Sequence, residues 1–290
     1  LGSNLLQSVI PDGLTNYSNL VELDLSENNL VGVIPPKVGF LTKLKGILLY
    51  SNNLNGAIPP ALGKITKLKV ADLSENNLNG EIPPTLSNLS SLTQLSLASN
   101  MLGNTLPSNI GNALPNIQQL YLGDMFVGHI PTSLGNPSGL QYIDLLDNYF
   151  RGQIPSSFGN HLQLIKLNLG NNLLEARDSE GWEFLDALAN CTSLRELSLA
   201  GNQLHGAIPK SIVNLSTSLQ YLLIGANNLS GIVPPSIGKL SGLVQLSLDQ
   251  NNLTGTIGEW IGNMTNLRHL NLQSNSFTGT IPPSIGLLHN

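Results

Sequence analysis

The sequence predicts an α/β repeat solenoid, with a parallel sheet on the concave face and short 3₁₀ or helical turns on the convex face. Asparagine recurs every 24 residues, as at Asn28, Asn52 and Asn76, and leucines surround each copy in one frame, LxxLxLxxNxLxGxIP. A unit of this length cannot bury its own leucines, whereas stacked units share one continuous core. We therefore expect about twelve such units to form one superhelix.

The LxLxx segment of each unit predicts a short strand, because its leucines alternate with polar residues at the period of a half-buried strand. Copies from neighbouring units are expected to pair in parallel. Only the positions between the leucines then reach solvent. Equivalent positions therefore form columns along the sheet, and these columns are the surface available to a partner.

The recurring asparagine predicts a hydrogen-bonded ladder between units. A buried amide is costly unless it is satisfied, and an amide offers both donors and an acceptor. At the turn after the strand it can bond backbone groups of its own unit and of the next one. Replacing one rung with alanine should leave several groups unpaired and cost roughly 1–3 kcal/mol. The predicted rungs are Asn28, Asn52, Asn76, Asn100, Asn148, Asn172, Asn202, Asn227, Asn251 and Asn275.

Glycine and proline mark the remainder of each unit. A glycine four residues after the rung, as at Gly32, suits a tight backbone, and a proline seven residues after it, as at Pro35, removes a ladder donor. The stretch that follows is too short for a long helix. We expect one helical or 3₁₀ turn there.

The repeat runs without a linker, so we expect a single domain over residues 1–290 with both terminal caps missing. The repeat is irregular at 120–126. Either Asp124 replaces the asparagine of this unit, or the unit has lost one residue. We expect local strain in that unit.

A second irregularity is an insertion at 175–190. Trp182, Leu185 and Leu188 are three residues apart, which predicts a short amphipathic helix that begins at Asp178 or Ser179. We expect it to lie on the flank of its unit; a ligand-gripping insertion is the alternative.

Composition excludes several functions. Charged residues make up 11% of the chain, the net charge is −5 and the 13 Lys and Arg are scattered, so nucleic acid is not an expected partner. The five histidines show no metal-ligand spacing. We expect no catalytic residue, metal or cofactor, and no enzyme activity in this chain. Cys191 is expected to be a small buried residue, with a reactive thiol as the alternative.

Seven N-x-Ser/Thr sequons favour the secretory route. The candidate glycosylation sites are Asn16, Asn88, Asn190, Asn214, Asn228, Asn252 and Asn263.

The repeat closely resembles the plant-type extracellular leucine-rich repeat, whose GxIP element is the specific part. Three segments, 106–123, 173–194 and 212–222, resemble the subfamily of plant receptor-like serine/threonine kinases that contains the receptors for bacterial flagellin and elongation factor and the bacterial-blight resistance receptor. In that family the ectodomain is followed by one membrane helix and a cytoplasmic kinase, neither of which is in this sequence.

The resemblance implies an ectodomain on the extracellular face of the plasma membrane. Its function would be to bind an extracellular peptide or protein on the concave face and to recruit a leucine-rich-repeat co-receptor kinase, in immune signalling. The membrane would be reached only through the missing C-terminal segment. A secreted or kinase-less protein, such as an inhibitor of a pathogen's wall-degrading enzyme, is the alternative, and a structural wall protein is another.

Aromatic and apolar residues on a polar surface are the usual anchors of a partner. One group of outward positions on three neighbouring predicted strands combines such residues with charged ones. Two smaller groups, Tyr221 with Leu223 and Leu48 with Tyr50, are alternatives. The ligand-contact candidates are Gln119, Tyr121, Tyr142, Asp144, Leu146 and Lys166.

Overall fold

The computed structural model describes residues 1–123 and 125–288, in which successive strands of the chain belong alternately to two parallel sheets, one of 12 strands and one of 11. The chain forms two compact units, Leu1–Asn148 and Tyr149–Asn290. Asp124 lies outside the described residues, so the strain expected there stays a prediction.

The strands of the first unit are short and follow one another at the period of the repeat. Even-numbered strands form what we call the main sheet, in the order β2-β4-β6-β8-β10-β12, and odd-numbered strands form the second sheet, in the order β1-β3-β5-β7-β9-β11. The strands are β1 (Gln7–Val9), β2 (Glu22–Asp24), β3 (Asn29–Val33), β4 (Gly46–Leu48), β5 (Asn53–Ala57), β6 (Val70–Asp72), β7 (Asn77–Gly80), β8 (Gln94–Ser96), β9 (Met101–Thr105), β10 (Gln119–Tyr121), β11 (Met125–Gly128) and β12 (Tyr142–Asp144).

The second unit repeats this arrangement. Its main sheet has the order β14-β16-β18-β20-β22 and its second sheet the order β13-β15-β17-β19-β21-β23. The strands are β13 (Tyr149–Gln153), β14 (Lys166–Asn168), β15 (Leu173–Ala176), β16 (Glu196–Ser198), β17 (Gln203–Ala207), β18 (Tyr221–Leu223), β19 (Asn228–Ile232), β20 (Gln245–Ser247), β21 (Asn252–Thr256), β22 (His269–Asn271) and β23 (Ser276–Thr278).

The main sheet has the alternation that the leucine pattern predicts. In β10 the central Leu120 and the following Leu122 are buried, while Gln119 and Tyr121 are half-buried and point to the other face. A single repeat cannot cover its own leucines, so the neighbouring repeats on both sides must cover them. Burial of these leucines against one another supplies the dominant stabilisation.

The ladder asparagines bond the preceding repeat, not the next one as the sequence suggested. Asn52 Nδ2 donates to the carbonyl oxygen of Leu25 in the preceding repeat at 2.9 Å, and the Leu30 N–H donates to Asn52 Oδ1 at 3.0 Å. Within its own repeat Nδ2 contacts the carbonyl oxygens of Leu49 and Tyr50 at 3.1 and 3.2 Å. The same pattern recurs at the other rungs for which bonds are described, so each repeat is tied to its predecessor.

The second sheet was missed by sequence reasoning, which assigned the NxLxGx segment only a tight backbone. Leu54 in β5 is fully buried, and Gly56 has φ +74°, a left-handed conformation that costs other residues roughly 1–2 kcal/mol. A Cβ atom on Gly56 would also lie 2.9 Å from Val33 Cγ1 of the neighbouring strand. Glycine therefore allows the strand to bend without losing its parallel partner.

Most prolines that follow the second sheet start a 3₁₀ helix, which confirms the predicted turn. Pro35, for example, supplies the carbonyl oxygen that accepts the first helical bond, from the Val38 N–H at 2.9 Å, and its missing N–H is not needed there. The 3₁₀ helices of the described residues are Asp12–Asn16, Pro36–Phe40, Pro60–Lys64, Pro84–Asn88, Thr132–Gly135, Ser156–Asn160, Lys210–Asn214, Pro235–Lys239, Glu259–Asn263 and Pro283–Leu287.

Two repeats carry an α-helix at this position, α1 (Ile110–Ala113) and α2 (Glu183–Leu188). The insertion therefore forms the predicted helix, but it begins at Glu183. Asp178 and Ser179 instead close the turn before it, because Asp178 Oδ1 accepts the Gly181 N–H at 2.9 Å.

Helix α2 lies on the flank of its repeat, as expected. Phe184, Leu185 and Leu188 are buried, and the helix packs against the 3₁₀ helix Ser156–Asn160. Phe184 was not part of the sequence prediction, which followed the three-residue spacing from Trp182. The Phe184 ring stacks on the Trp182 ring, with the ring centroids 5.7 Å apart.

Candidate functional site

Five of the six ligand-contact candidates lie together on the main sheet of the first unit. Strands β10 and β12 are neighbours, with Gln119 opposite Tyr142 and Tyr121 opposite Asp144, and Leu146 follows two residues later. All five side chains are half-buried, so each presents part of its surface to solvent. We call Gln119, Tyr121, Tyr142, Asp144 and Leu146 the tyrosine patch.

Hydrogen bonds hold parts of this patch in place. The Tyr121 hydroxyl donates to Gln119 Oε1 at 3.3 Å, which orients the ring along its strand. Asp144 Oδ1 accepts the Leu146 N–H at 3.1 Å and so fixes the turn that leaves the strand. Side chains whose rotamers are already fixed lose less entropy when a partner binds.

Lys166, the sixth candidate, lies on β14 of the second unit. There its Nζ is 3.3 Å from Glu196 Oε1, and β14 pairs directly with the strand that carries Glu196. Both side chains are 29% exposed, which leaves the ion pair accessible to screening by solvent. A role for Lys166 in ligand contact stays a prediction.

The turns beside the tyrosine patch surround an open cavity of about 470 Å³, which we call the notch. Pockets that hold small ligands begin at roughly 300 Å³. The notch is lined by Ala98, Ser99, Asn100, Tyr121, Gly123, Met125, Asp144, Leu146 and Asp147.

The notch is a depression beside an irregularity of the sequence repeat. Leu102 lies five positions after Leu97 and Phe150 lies five positions after Leu145, but Phe126 lies only four positions after Leu122.

Small side chains keep the depression open, because Ala98 and Gly123 are neighbours in one column of the sheet. Sequence reasoning detected the short spacing but did not connect it with a cavity.

Two exposed methionines beside this surface were also missed. Met101 and Met125 are each 50% exposed at the first position of β9 and β11, where the earlier repeats have Asn29, Asn53 and Asn77. The sequence did carry a signal for them, because methionine replaces asparagine at this position of the repeat. Methionine is common on surfaces that adapt to a bound partner.

A second cavity, of about 190 Å³, lies on the helical side of the first unit. It is bounded by Ile82, Leu86 and Ile110 and carries no titratable side chain. The LPSNIGNAL segment forms α1 here in place of a 3₁₀ helix, and Ile110 and Ala113 of α1 line the cavity.

The carboxyl group of Asp24 on the main sheet is bonded by Ser26, which follows its strand. The Ser26 hydroxyl donates to Asp24 Oδ1 at 2.6 Å and lowers the pKa of the carboxyl group, burial opposes this, and the Ser26 N–H at 3.0 Å lowers it further. Asp72 and Ser74 have the same geometry two repeats later.

Residues 1–123 and 125–288 offer no candidate metal site and no candidate membrane helix. No group of three or more His, Cys, Asp or Glu residues could hold a metal ion there. Nor does that part of the chain contain a helix long and apolar enough to cross a membrane. Cys191 is fully buried, as expected, and burial raises the pKa of its thiol to about 11.

All seven sequon asparagines are exposed. Four of them are the last residue of a 3₁₀ helix, and Asn190 follows α2 at the equivalent place. Asn228 and Asn252 instead begin neighbouring strands of the second sheet in the second unit. None lies on the described strands of the main sheet.

Comparison with known proteins identifies the class to which this fold belongs. Family models described as leucine rich repeat match residues 217–277 and, in five separate copies, residues 19–41, 67–89, 91–113, 139–161 and 193–215. Together they cover more than half of the chain. The chain therefore belongs to the leucine-rich repeat proteins, and the predicted fold class is confirmed.

Its relatives are plant LRR receptor-like serine/threonine kinases, which confirms the resemblance stated above. The chain is 40% identical over 83 residues to the receptor kinase EFR of Arabidopsis thaliana and 37% identical over 85 residues to the receptor kinase-like protein Xa21 of Oryza sativa subsp. japonica. Each alignment covers 29% of this chain and 8% of the kinase. The kinases are therefore much longer than the part they share with this chain.

Solved receptor structures resemble the chain over nearly its whole length. The plant peptide hormone receptor RGFR1 in complex with RGF2 has a TM-score of 0.88 and 32% identity, covering 99% of this chain and 49% of that one. The PEPR1–AtPEP1 complex has a TM-score of 0.75 and 30% identity, covering 98% of this chain and 46% of that one. The chain thus spans about half the length of these ectodomain structures.

Proposed function

We propose that this chain is part of the ligand-sensing ectodomain of a plant cell-surface receptor kinase, and that the tyrosine patch binds an extracellular peptide or protein. The observation that carries this proposal is the placement of Tyr121 and Tyr142, both half-buried, at diagonal positions of the adjacent strands β10 and β12, where Tyr142 is opposite Gln119 and Tyr121 is opposite Asp144. Tyrosine offers large contact area and a polar tip, and it loses little entropy on binding.

The relatives support this proposal at the level of class. EFR and Xa21 are named as receptor kinases, and RGFR1 and PEPR1 were solved with RGF2 and AtPEP1. A ligand on the main sheet would recruit a leucine-rich-repeat co-receptor kinase. Because segments 106–123, 173–194 and 212–222 resemble receptors for bacterial molecules, we place the signal in plant immunity.

The parent protein would then carry one membrane helix and a serine/threonine kinase after this segment, and the segment itself would lie outside the cell. Sequencing the parent transcript tests this arrangement. A membrane span followed by a kinase is expected. A short reading frame that ends after capped repeats would instead indicate the secreted inhibitor.

Peptide binding is tested with a phage-displayed library of random 12-residue peptides selected on the purified chain. Peptides that bind the unmodified chain should lose at least tenfold in affinity when Tyr121 and Tyr142 are both changed to serine. Tyr17 and Tyr149 are exposed and lie off the main sheet, so Tyr17→Ser with Tyr149→Ser is the matched control. Selected peptides that bind both double variants equally would reject the patch, as would a selection that yields no binders.

We further propose that the seven sequons carry N-linked glycans in a chain made through the secretory pathway. Their exposure supports this, and their positions would leave the main sheet uncovered. Intact mass spectrometry before and after enzymatic release of N-glycans from plant-expressed protein provides the test. A mass that does not change would contradict it.

A further inference from the structure

We propose that a cluster of lysines on the first unit binds an acidic polysaccharide, which is a polymer of sugar rings that each carry a carboxylate. What we call the lysine cluster consists of Lys43, Lys45, Lys64, Lys67 and Lys69. It lies outside the tyrosine patch and needs no peptide ligand. The inference therefore goes beyond the proposed function, and either can fail without the other.

The basic residues of the first unit are concentrated, not scattered as the sequence first suggested. Six of the 13 lysine and arginine residues of the chain fall between positions 37 and 69, and no other lies in the first unit. The net charge of the whole chain is −5, so the sign of the charge reverses locally. A concentrated patch of one sign attracts partners of the other sign.

The period of 24 residues arranges these side chains as a grid across two neighbouring repeats. The repeats are in contact here, because the Lys69 N–H donates to the Lys45 carbonyl oxygen at 2.8 Å and the 3₁₀ helices Pro36–Phe40 and Pro60–Lys64 pack together. All six side chains of the grid are exposed. In one repeat and then at the equivalent positions of the next, they are Phe40, Lys43 and Lys45, and Lys64, Lys67 and Lys69.

The charges of the cluster are not neutralised within the part of the chain that the structure describes. Lys43 Nζ donates to Asn19 Oδ1 at 2.6 Å, and this partner is uncharged. Lys37, by contrast, is paired with Asp12 at 2.7 Å and is not part of the cluster. Like charges on adjacent repeats repel one another, so an anion that bridges them is favoured. The side-chain nitrogens without a hydrogen bond or ion pair to the described residues are those of Lys45, Lys64, Lys67 and Lys69.

The spacing of the charges favours a polymer with one anion in each repeating unit. Equivalent positions of neighbouring repeats lie about 4.8 Å apart, and a polyuronate with one carboxylate on each sugar ring has a comparable spacing. Duplex DNA carries one charge per roughly 1.7 Å, and the acidic remainder of the chain would repel such a density. Several weak contacts to one polymer act together, so binding needs no deep pocket.

Phe40 adds an apolar contact to the cluster. Its side chain is 61% exposed, and Lys64 occupies the equivalent position of the next repeat. A sugar ring has an apolar C–H face that can cover an aromatic ring, whereas a small inorganic anion would leave the ring in water. All five cations are lysines, whose point charges on flexible stems suit a mobile polymer better than the rigid fork of arginine does.

Candidate glycosylation sites flank the cluster. Asn16 and Asn88 occupy the column of Phe40 and Lys64 in the repeats on either side, and no sequon lies between them. Glycans at these two positions, as proposed above, would hold a flat membrane away from this surface. They would leave the two repeats of the cluster open to a single polymer chain.

Fluorescence anisotropy of an end-labelled oligogalacturonate, titrated with the whole chain, measures the binding. The matched probe is the same oligomer with its carboxyl groups methyl-esterified, which keeps the rings and removes the charges. The acid should bind about tenfold more tightly than the ester, because small contributions from five exposed ion pairs add up. Raising the salt concentration to about 0.5 M should weaken binding of the acid severalfold, because salt screens exposed charges.

Paired substitutions locate the binding surface. Lys67→Gln with Lys69→Gln should weaken oligogalacturonate binding about fivefold. Lys210→Gln with Lys239→Gln is the matched control, because these lysines are exposed on 3₁₀ helices of the second unit and the same two charges are lost. Circular dichroism should show that both double variants fold as the unmodified chain does.

A second pair of variants tests the aromatic contact. Phe40→Ser should weaken oligogalacturonate binding about threefold, because the sugar ring loses its apolar partner. Leu162→Ser is the control, because the Leu162 side chain is 63% exposed and lies in the second unit. It should leave the affinity unchanged.

The proposal is overturned if acid and ester bind equally, if the Lys67 and Lys69 variant binds no more weakly than its control, or if Phe40→Ser acts no differently from Leu162→Ser. Phosphatidylserine vesicles, duplex DNA or polyglutamate that displace the probe at a lower concentration of negative charge than unlabelled oligogalacturonate would overturn it in favour of a membrane, a nucleic acid or an acidic protein. Tyr121→Ser with Tyr142→Ser should leave oligogalacturonate binding unchanged. A loss in that variant would place the polymer on the tyrosine patch and would also overturn the proposal.

Discussion

Replacing Asn52 with alanine should remove the four hydrogen bonds of its amide but leave only one buried backbone group without a partner. Without the amide, the Leu30 N–H loses its acceptor in a buried position. The carbonyl oxygens keep other donors: Leu25 retains Asn28 Nδ2, and Leu49 retains Asn76 Nδ2.

The Tyr50 carbonyl likewise keeps the Glu27 N–H. Only one group is therefore left unpaired, not several as sequence reasoning expected. An unsatisfied buried donor costs roughly 1–3 kcal/mol. We expect a loss of about 2 kcal/mol in the free energy of unfolding, which lowers Tm by about 4–8 °C for a unit of this size.

Urea unfolding followed by circular dichroism measures this loss. The control is Asn53→Ala, because Asn53 is the next residue, has the same chemistry and is exposed; it should change stability by less than about 0.5 kcal/mol. Hydrogen exchange should also show reduced protection of the Leu30 amide. Equal losses for the two variants, or an unchanged Leu30 amide, would refute the ladder argument.

Three further variants or treatments test other parts of the fold. Cys191 should react with iodoacetamide at pH 8 roughly 100-fold more slowly than an ordinary thiol, because a pKa raised from 9.0 to about 11 leaves the thiol protonated, and it should become reactive in urea. Gly56→Ala should cost roughly 1–2 kcal/mol in urea unfolding, since alanine is strained at φ +74°, whereas the neighbouring Asn55→Ala should have little effect. Phe184→Ala should cost about 3–5 kcal/mol through the cavity it leaves under α2, compared with almost none for the exposed Glu183→Ala.

The features that the sequence predicts well are those that every repeat must share. Leu120 and Leu122 alternate with Gln119 and Tyr121, so the pleat alone determines which side chains face outward. Equal spacing then determines the register that sets Tyr121 opposite Asp144. These inferences need only local geometry and a period.

Features that depend on contacts between repeats were less accessible. The direction of the ladder, from Asn52 back to Leu25, depends on contacts between neighbouring repeats, which a repeat pattern does not encode. The second sheet escaped notice because Gly56 reads as a turn residue, although its positive φ serves a bend within a strand. The start of α2 was misplaced because Asp178 suits both a helix start and a tight turn.

The short turn at the notch allows a final prediction, in which the regular frame is restored. Insertion of a serine after Gly123, together with Asp124→Asn, converts LGDMF into LGSNMF, the frame of LASNML at 97–102. The new amide would regain the donors of a ladder rung, which an ionised carboxylate lacks, and should stabilise the chain by about 1 kcal/mol. Asp124→Asn without the insertion is the control, because it supplies the amide but keeps the four-residue spacing.

Thermal unfolding followed by circular dichroism compares the two variants. If the restored frame lowers Tm relative to the control, or leaves it unchanged, the short spacing between Leu122 and Phe126 is not a defect in the ladder.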